Sequence, residues 1–161
     1  MIGSWRLPLP FFISSKPIFL GVEGVTGFVG ILIVVNRCCL CCCNAESVDH
    51  LLLFCPITHS LWMYMLRLFG IDWVMPGSVM DLLFSWYHWH GKHSSDIWDL
   101  VPGCLMWTIW TEQNRRSFED KEKTVVQLLE ICQRTLFDWS QCWGFTDCST
   151  LLDFLSSIRI V

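Results

Sequence analysis

From residue 56 onward the apolar positions recur at helical spacing. Leu61, Trp62, Met65, Leu66 and Phe69 fall at i, i+1, i+4, i+5 and i+8, so a helix over 56–70 would carry them on one face. Pro56 suits the first turn, where its missing N–H is not needed, and Gly70 suits a stop. Ser78 is a good N-cap after Pro76 and Gly77 and opens a second helix over 78–86. Residues 97–118 read as a third helix, interrupted at Pro102-Gly103, with Leu105, Ile109 and Trp110 on its apolar side. Val125, Leu128, Leu129, Cys132, Leu136 and Trp139 keep a 3.6-residue period and predict a fourth helix over 124–143. A short terminal helix is expected over 146–158. No segment alternates convincingly at period two, so the predicted fold class is mainly α, without an extended sheet.

Residues 1–35 follow a different pattern. The first seventeen hold Pro8, Pro10 and Pro17 and show no clear period, and 18–35 is an apolar run of about membrane-spanning length. Glu23 sits inside that run, where a central charge costs about 2.5–3.5 kcal/mol on insertion scales. Glycines at 21, 24, 27 and 30 weaken any helix there. A buried or poorly ordered apolar segment is expected, with a single-span membrane anchor as the alternative.

Composition narrows the class further. Charged residues make up only 16 % of the chain, against roughly 25 % in typical soluble domains. With ten tryptophans, aromatic faces lacking partners would be sticky. The net charge of −4 offers no overall basic face of the kind that drives non-specific binding to phosphates. Five of the ten cysteines (Cys38, Cys39, Cys41, Cys42 and Cys43) are crowded within six residues and cannot all close long-loop disulfides. The chain starts without a short basic leader and Ala-x-Ala site. Both features point to a reducing, intracellular setting (nucleus or cytoplasm), with membrane attachment through 18–35 as the alternative.

The crowded cysteines also carry the candidate chemistry. Cys38, Cys41, His50 and Cys55 read as C-x2-C-x8-H-x4-C. Three thiols and one imidazole make a full tetrahedral set for zinc, with no position left for water or substrate, which is the pattern of a structural site. His50 and Cys55 lie just before and at the turn into the helix beginning at Pro56, and 51–54 would supply an apolar plug. The register stays open: Cys39 and Cys42 form a second C-x2-C, Cys43 is spare, and His59 substitutes for His50 only with a stretched spacing. The plainer alternative makes these cysteines small buried hydrophobes and His50 a surface residue. A redox pair at Cys39–Cys42 would require a strand before it and a helix after it, and neither is apparent. His88, His90 and His93 read as a solvated loop. The sequence holds no Asp-Asp pair, P-loop, Gly-x-Ser-x-Gly or His-Glu-x-x-His, so a non-catalytic protein is expected.

Cys38, Cys41, the run Glu46-Ser47-Val48-Asp49-His50-Leu51, Cys55-Pro56 and Trp62 together resemble the zinc-binding domain at the C-terminal end of plant non-LTR retrotransposon reverse transcriptases. Residues 68–86, 104–122 and 136–145 resemble the tails that follow it, so the likeness covers roughly residues 36–150. It implies zinc held by Cys38, Cys41, His50 and Cys55, and a role in binding element RNA or target DNA. The implied organisation is a segment 1–35 unlike the family, a CCHC zinc knuckle at 36–62, and a helical tail at 63–161. The abrupt change at Asn36 suggests frame decay or a mis-called start, which predicts a family-like peptide in another frame of the gene. Gln113 stands where the family commonly has arginine, and Cys42 and Cys43 replace polar or charged residues. Such knuckles grip unpaired bases on an apolar platform, for which Leu40 and the 51–54 run ending in Phe54 are the candidates. Arg115 and Arg116 could touch phosphate, or else form a solvated helix end balanced by Glu112 and Glu119. Glu46 and Asp49 oppose high affinity. The expected partner is RNA or single-stranded DNA; the alternative is a protein docked on exposed aromatics. Trp107, Trp110, Trp139 and Trp143 are expected in the core rather than as stacking platforms.

Overall fold

A computed structural model describes residues 37–43, 45–88 and 96–158. The expectations for 1–35 lie outside the described residues, as do His90, His93 and the side chain of His88. The apolar stripes become five helices: α1 (Pro56–Leu68), α2 (Val79–His88), α3 (Asp96–Glu119), α4 (Val125–Cys142) and α5 (Leu151–Ile158). A π-helical turn, His50–Phe54, leads into α1. The described residues contain no strand, and one isolated antiparallel bridge joins Arg37 to Ala45. No helix among them is long and apolar enough to cross a membrane.

The helix ends follow local chemistry. Pro56 opens α1, and Gly70 closes it at φ +66°, with Gly70 N–H on Arg67 O and Ile71 N–H on Leu66 O. That pairing satisfies the last carbonyls in the Schellman manner and needs a residue tolerant of left-handed backbone. Ser78 Oγ accepts the Asp81 N–H at 3.1 Å, and Thr124 and Gln127 cap each other at the start of α4. The terminal helix begins at Leu151, five residues later than the apolar pattern suggested. Thr150 Oγ1 accepts the Asp153 N–H at 3.2 Å and sets the boundary there.

Two further expectations are corrected. The Pro102-Gly103 pair does not interrupt α3, which runs unbroken through it. Val101, Pro102, Cys104 and Leu105 are all buried, so tertiary packing overrides the weak local propensity. Gly103 lies where α4 comes close: a Cβ there would stand 3.5 Å from the Trp139 ring. The tryptophan assignment also changes. Trp107, Trp110 and Trp143 are about half exposed and Trp139 is half-buried. Trp98, Val101, Leu105, Ile109 and Glu112 form the buried stripe of α3, and Trp110 is rotated about 100° from Ile109. The tryptophans of the core are Trp62, Trp86 and Trp98. Trp86 stacks on Trp98 at 4.0 Å between ring centroids and meets Trp62 edge-on.

These side chains belong to one continuous core. It runs from Cys38, Leu40, Leu51, Leu53 and Cys55 through α1, α3 and α4 to Phe154 and Ile158 of α5. The cysteine turn is therefore seated on the helices. The boundary expected at 62/63 falls inside α1.

Candidate metal centre

The four predicted ligands come together. One ligand atom from each of Cys38, Cys41, His50 and Cys55 lies within 4.8 Å of the other three, and Cys41 Sγ is 3.3 Å from His50 Nε2. Cys38 and Cys55 are fully buried, whereas Cys41 and His50 are half-buried. This donor set could hold a metal ion.

Local structure explains the convergence. Cys42 N–H bonds to Cys38 O at 2.8 Å, and Cys42 takes φ +54°, which folds 38–42 into a tight turn. Burial raises the Cys38 and Cys55 thiols, and the nearby backbone amides of Cys41 and Leu40, and of Thr58 and Ile57, partly offset it. Cys55 lies five positions after His50. On an ideal α-helix that is about 1.4 turns, which would set the two side chains roughly 140° apart. The wider turn removes the conflict: Cys55 N–H bonds to His50 O at 2.6 Å, bringing residue 55 back beneath residue 50. Two carbonyls displaced from α-helical pairing are taken up by Thr58 Oγ1 (to Leu51 O, 2.7 Å) and Trp62 Nε1 (to Leu52 O, 2.8 Å).

The arrangement also distinguishes the cysteine registers. Cys39 Sγ faces Gln113 O at 3.8 Å, while Cys42 and Cys43 are exposed and turn back onto the carbonyls of Cys39 and Cys41. His59 is exposed on α1, outside the cluster. Without a cation the buried sulfurs favour the thiol. Burial pushes the Cys55 thiol up to about 12 and the Cys38 thiol upward as well, against the pull of the amide donors. A bound divalent cation would invert that balance.

The residues expected to touch nucleic acid are placed differently. Leu40 is only 4 % exposed and belongs to the core, so it presents no face to a base; Phe54 is 45 % exposed. Arg115 and Arg116 are not a solvated pair. Both are bound to Glu112, itself 2 % exposed, through Arg115 Nη2 at 2.7 Å and Arg116 Nε at 2.8 Å. Glu46 accepts from Cys39 N–H and Gln113 Nε2, and Asp49 Oδ1 accepts Val79 N–H at the start of α2. These acidic residues fasten the turn to α3 and to α2. Sequence patterns did not reveal the π-helical turn or the buried role of Glu112, although a lone Glu in line with Ile109 and Leu105 was a signal for the latter.

Comparison with protein-family models, curated proteins and solved structures gives no match. The retroelement resemblance thus stands on the residues quoted above.

Proposed function

We propose that Cys38, Cys41, His50 and Cys55 bind one structural zinc ion, and that the chain is a non-catalytic interaction module akin to the zinc-binding segment of retrotransposon reverse transcriptases. The convergence of the four ligand atoms carries this reading. Tetrahedral zinc with Zn–S near 2.3 Å and Zn–N near 2.05 Å requires S···S of about 3.8 Å and S···N of about 3.5 Å. The 3.3 Å contact between Cys41 and His50 is close to that. Soft thiolates with one imidazole favour zinc over calcium or magnesium. Protein groups fill all four positions, so no site remains for a reacting water.

The ligand that the resemblance implies is RNA or single-stranded DNA, with Phe54 as the remaining apolar contact. A second reading, a protein partner, is favoured by a specific observation. Glu112 engages both arginines, while Trp107 and Trp110 stand half exposed with ring centroids 5.3 Å apart. The full chain purified without chelator should carry one zinc, and Cys55→Ser should carry none. Zinc-free wild-type protein would refute the metal reading. Titration with single-stranded RNA at rising salt separates the partners: phosphate contact predicts affinity falling steeply with ionic strength. No RNA binding at low salt would favour the protein partner.

A further inference from the structure

We propose that Arg116 is the positioning residue of the metal centre, holding the two central peptides of the Cys38–Cys41 turn so that their N–H groups point at the Cys38 sulfur. This rests on the metal reading above and concerns a residue 61 positions beyond the nearest ligand, Cys55.

All three guanidinium nitrogens are in use. Nε is held by Glu112 Oε1 at 2.8 Å, Nη2 donates to Lys123 O at 3.0 Å, and Nη1 donates to Leu40 O at 3.0 Å and Cys39 O at 3.5 Å. Those last two carbonyls belong to the peptides between Cys39 and Leu40 and between Leu40 and Cys41. A trans peptide is planar, and its C=O and N–H point in opposite directions. Fixing the two oxygens on α3 therefore fixes where the Leu40 and Cys41 N–H groups aim. The Cys41 and Leu40 amides oppose the larger effect of burial on the Cys38 thiol, as N–H groups facing its sulfur would. Hydrogen bonds to a ligating sulfur orient it and lower the cost of its negative charge.

Glu112 makes this placement rigid. It is buried, and a buried carboxylate must be paired. Its oxygens take Arg115 Nη2, Arg116 Nε and Lys123 N–H, so the Arg116 head is fixed in both position and rotation. Lysine could not reproduce this, because a single ammonium cannot hold Glu112 and both carbonyl groups in one plane. The same guanidinium grips the α3–α4 connection at Lys123. Metal binding and the ordering of that connection are thereby linked through one side chain.

The test measures cobalt affinity by its thiolate charge-transfer band, and zinc affinity by competition, in the full-length chain. Arg116→Met should weaken both about 10-fold or more, the usual size of an outer-sphere effect. The stoichiometry should stay at one ion per chain. The double variant Glu112→Gln/Arg116→Met removes the buried charge together with its partner, and it serves if the single variant fails to fold. In cadmium-113-loaded protein, scalar coupling from the metal to the Leu40 and Cys41 amide protons should be present in wild type and lost in the folded variant. A purely structural arginine would leave it unchanged. Arg116→Lys should recover less than half of the lost affinity on a logarithmic scale. Folded variants binding within twofold of wild type, with the couplings retained, would overturn the proposal and leave the metal reading intact. Wild type that binds no ion would overturn both.

Discussion

The cysteine turn and the α3–α4 hairpin share one core but are held by different forces. Residues 37–55 bury Cys38, Leu40, Leu51, Leu53 and Cys55, and two of those five belong to the Cys38/Cys41/His50/Cys55 cluster. The rest of that segment is fixed by hydrogen bonds from Arg116, Gln113, Thr58, Trp62 and Val79. The hairpin buries Val101, Leu105 and Ile109 with Leu128 and Leu136, begins α4 with a full capping box, and ends it at Gly144 with φ +70°. Apolar burial dominates in the hairpin, whereas the turn buries less of it, so on the metal reading proposed above the turn draws its stability from the ion. The largest expected effect follows from that difference. Structural zinc supplies on the order of 10 kcal/mol of apparent binding free energy near neutral pH. Chelation, or Cys55→Ser, should abolish amide-exchange protection across 37–55 while leaving it in 101–109 and 128–136. Equal loss in both regions would erase the distinction. Because burial raises the Cys38 and Cys55 thiols, metal uptake must displace protons, and affinity should fall as pH falls.

The reciprocal change comes next in size. Leu136 is fully buried between α4 and the core, and Leu136→Ala leaves a cavity costing about 2–5 kcal/mol. Urea unfolding should report that loss at unchanged zinc content per chain. A drop in zinc content at unchanged stability would mean that the two regions are coupled the other way round.

The same division governs what could be read from the chain. The α1 stripe was legible because Leu61, Trp62, Met65, Leu66 and Phe69 lie on one side and nothing competes with burying it. The mainly helical class followed for the same reason. The Cys38/Cys41/His50/Cys55 cluster was legible as spacing, but its register was not. Cys38–Cys41 and Cys39–Cys42 are equivalent as text, and the fold separates them: Cys39 Sγ faces Gln113 O, and Cys42 is exposed at φ +54°. Pro102-Gly103 misled because the pair's local cost is about 4 kcal/mol, less than the burial of its neighbours returns. Trp107 and Trp110 misled because hydrophobicity alone does not say which side of a 24-residue helix faces inward. The arginines looked solvated because their partner, Glu112, is buried by residues distant in sequence.

Glu112 sharpens the comparison at an intermediate magnitude. Burial alone would raise its carboxyl, but the Arg116 hydrogen bond, the Lys123 N–H and the two arginine charges outweigh that and hold it below the ordinary value of 4.5. A carboxyl lowered in the fold takes up its proton more readily once the chain unfolds. Its stabilisation is therefore complete above about pH 4.5 and is lost as pH falls through the lower folded value. Glu112→Gln should cost about 3 kcal/mol, the low end for breaking a buried pair, since Arg115 keeps one fifth of its side chain in water. In metal-free protein, where ligand protonation does not compete, the variant should have a flatter stability profile below pH 4.5 than wild type. Identical profiles would mean that the Glu112 carboxyl binds its proton equally well in the folded and unfolded chain.

The smallest effect has the opposite sign and tests whether the hairpin is packed to its limit. Gly103 lies in the interior of α3 at ordinary backbone angles, where glycine costs roughly 0.5–1 kcal/mol relative to alanine. A Cβ there would meet the Trp139 ring at 3.5 Å, an ordinary van der Waals distance rather than a clash. Gly103→Ala should thus stabilise the chain by up to about 1 kcal/mol, raising the urea midpoint without altering metal affinity. Gly103→Val adds two methyl groups against the same ring and should destabilise instead, by about 1–3 kcal/mol. If alanine also destabilised, α3 and α4 would have to lie closer than 3.5 Å at this crossing, and the glycine would be there for helix contact. If both variants were neutral, Trp139 would be free to move aside, and the crossing would be held by Leu105, Leu128 and Leu136 alone.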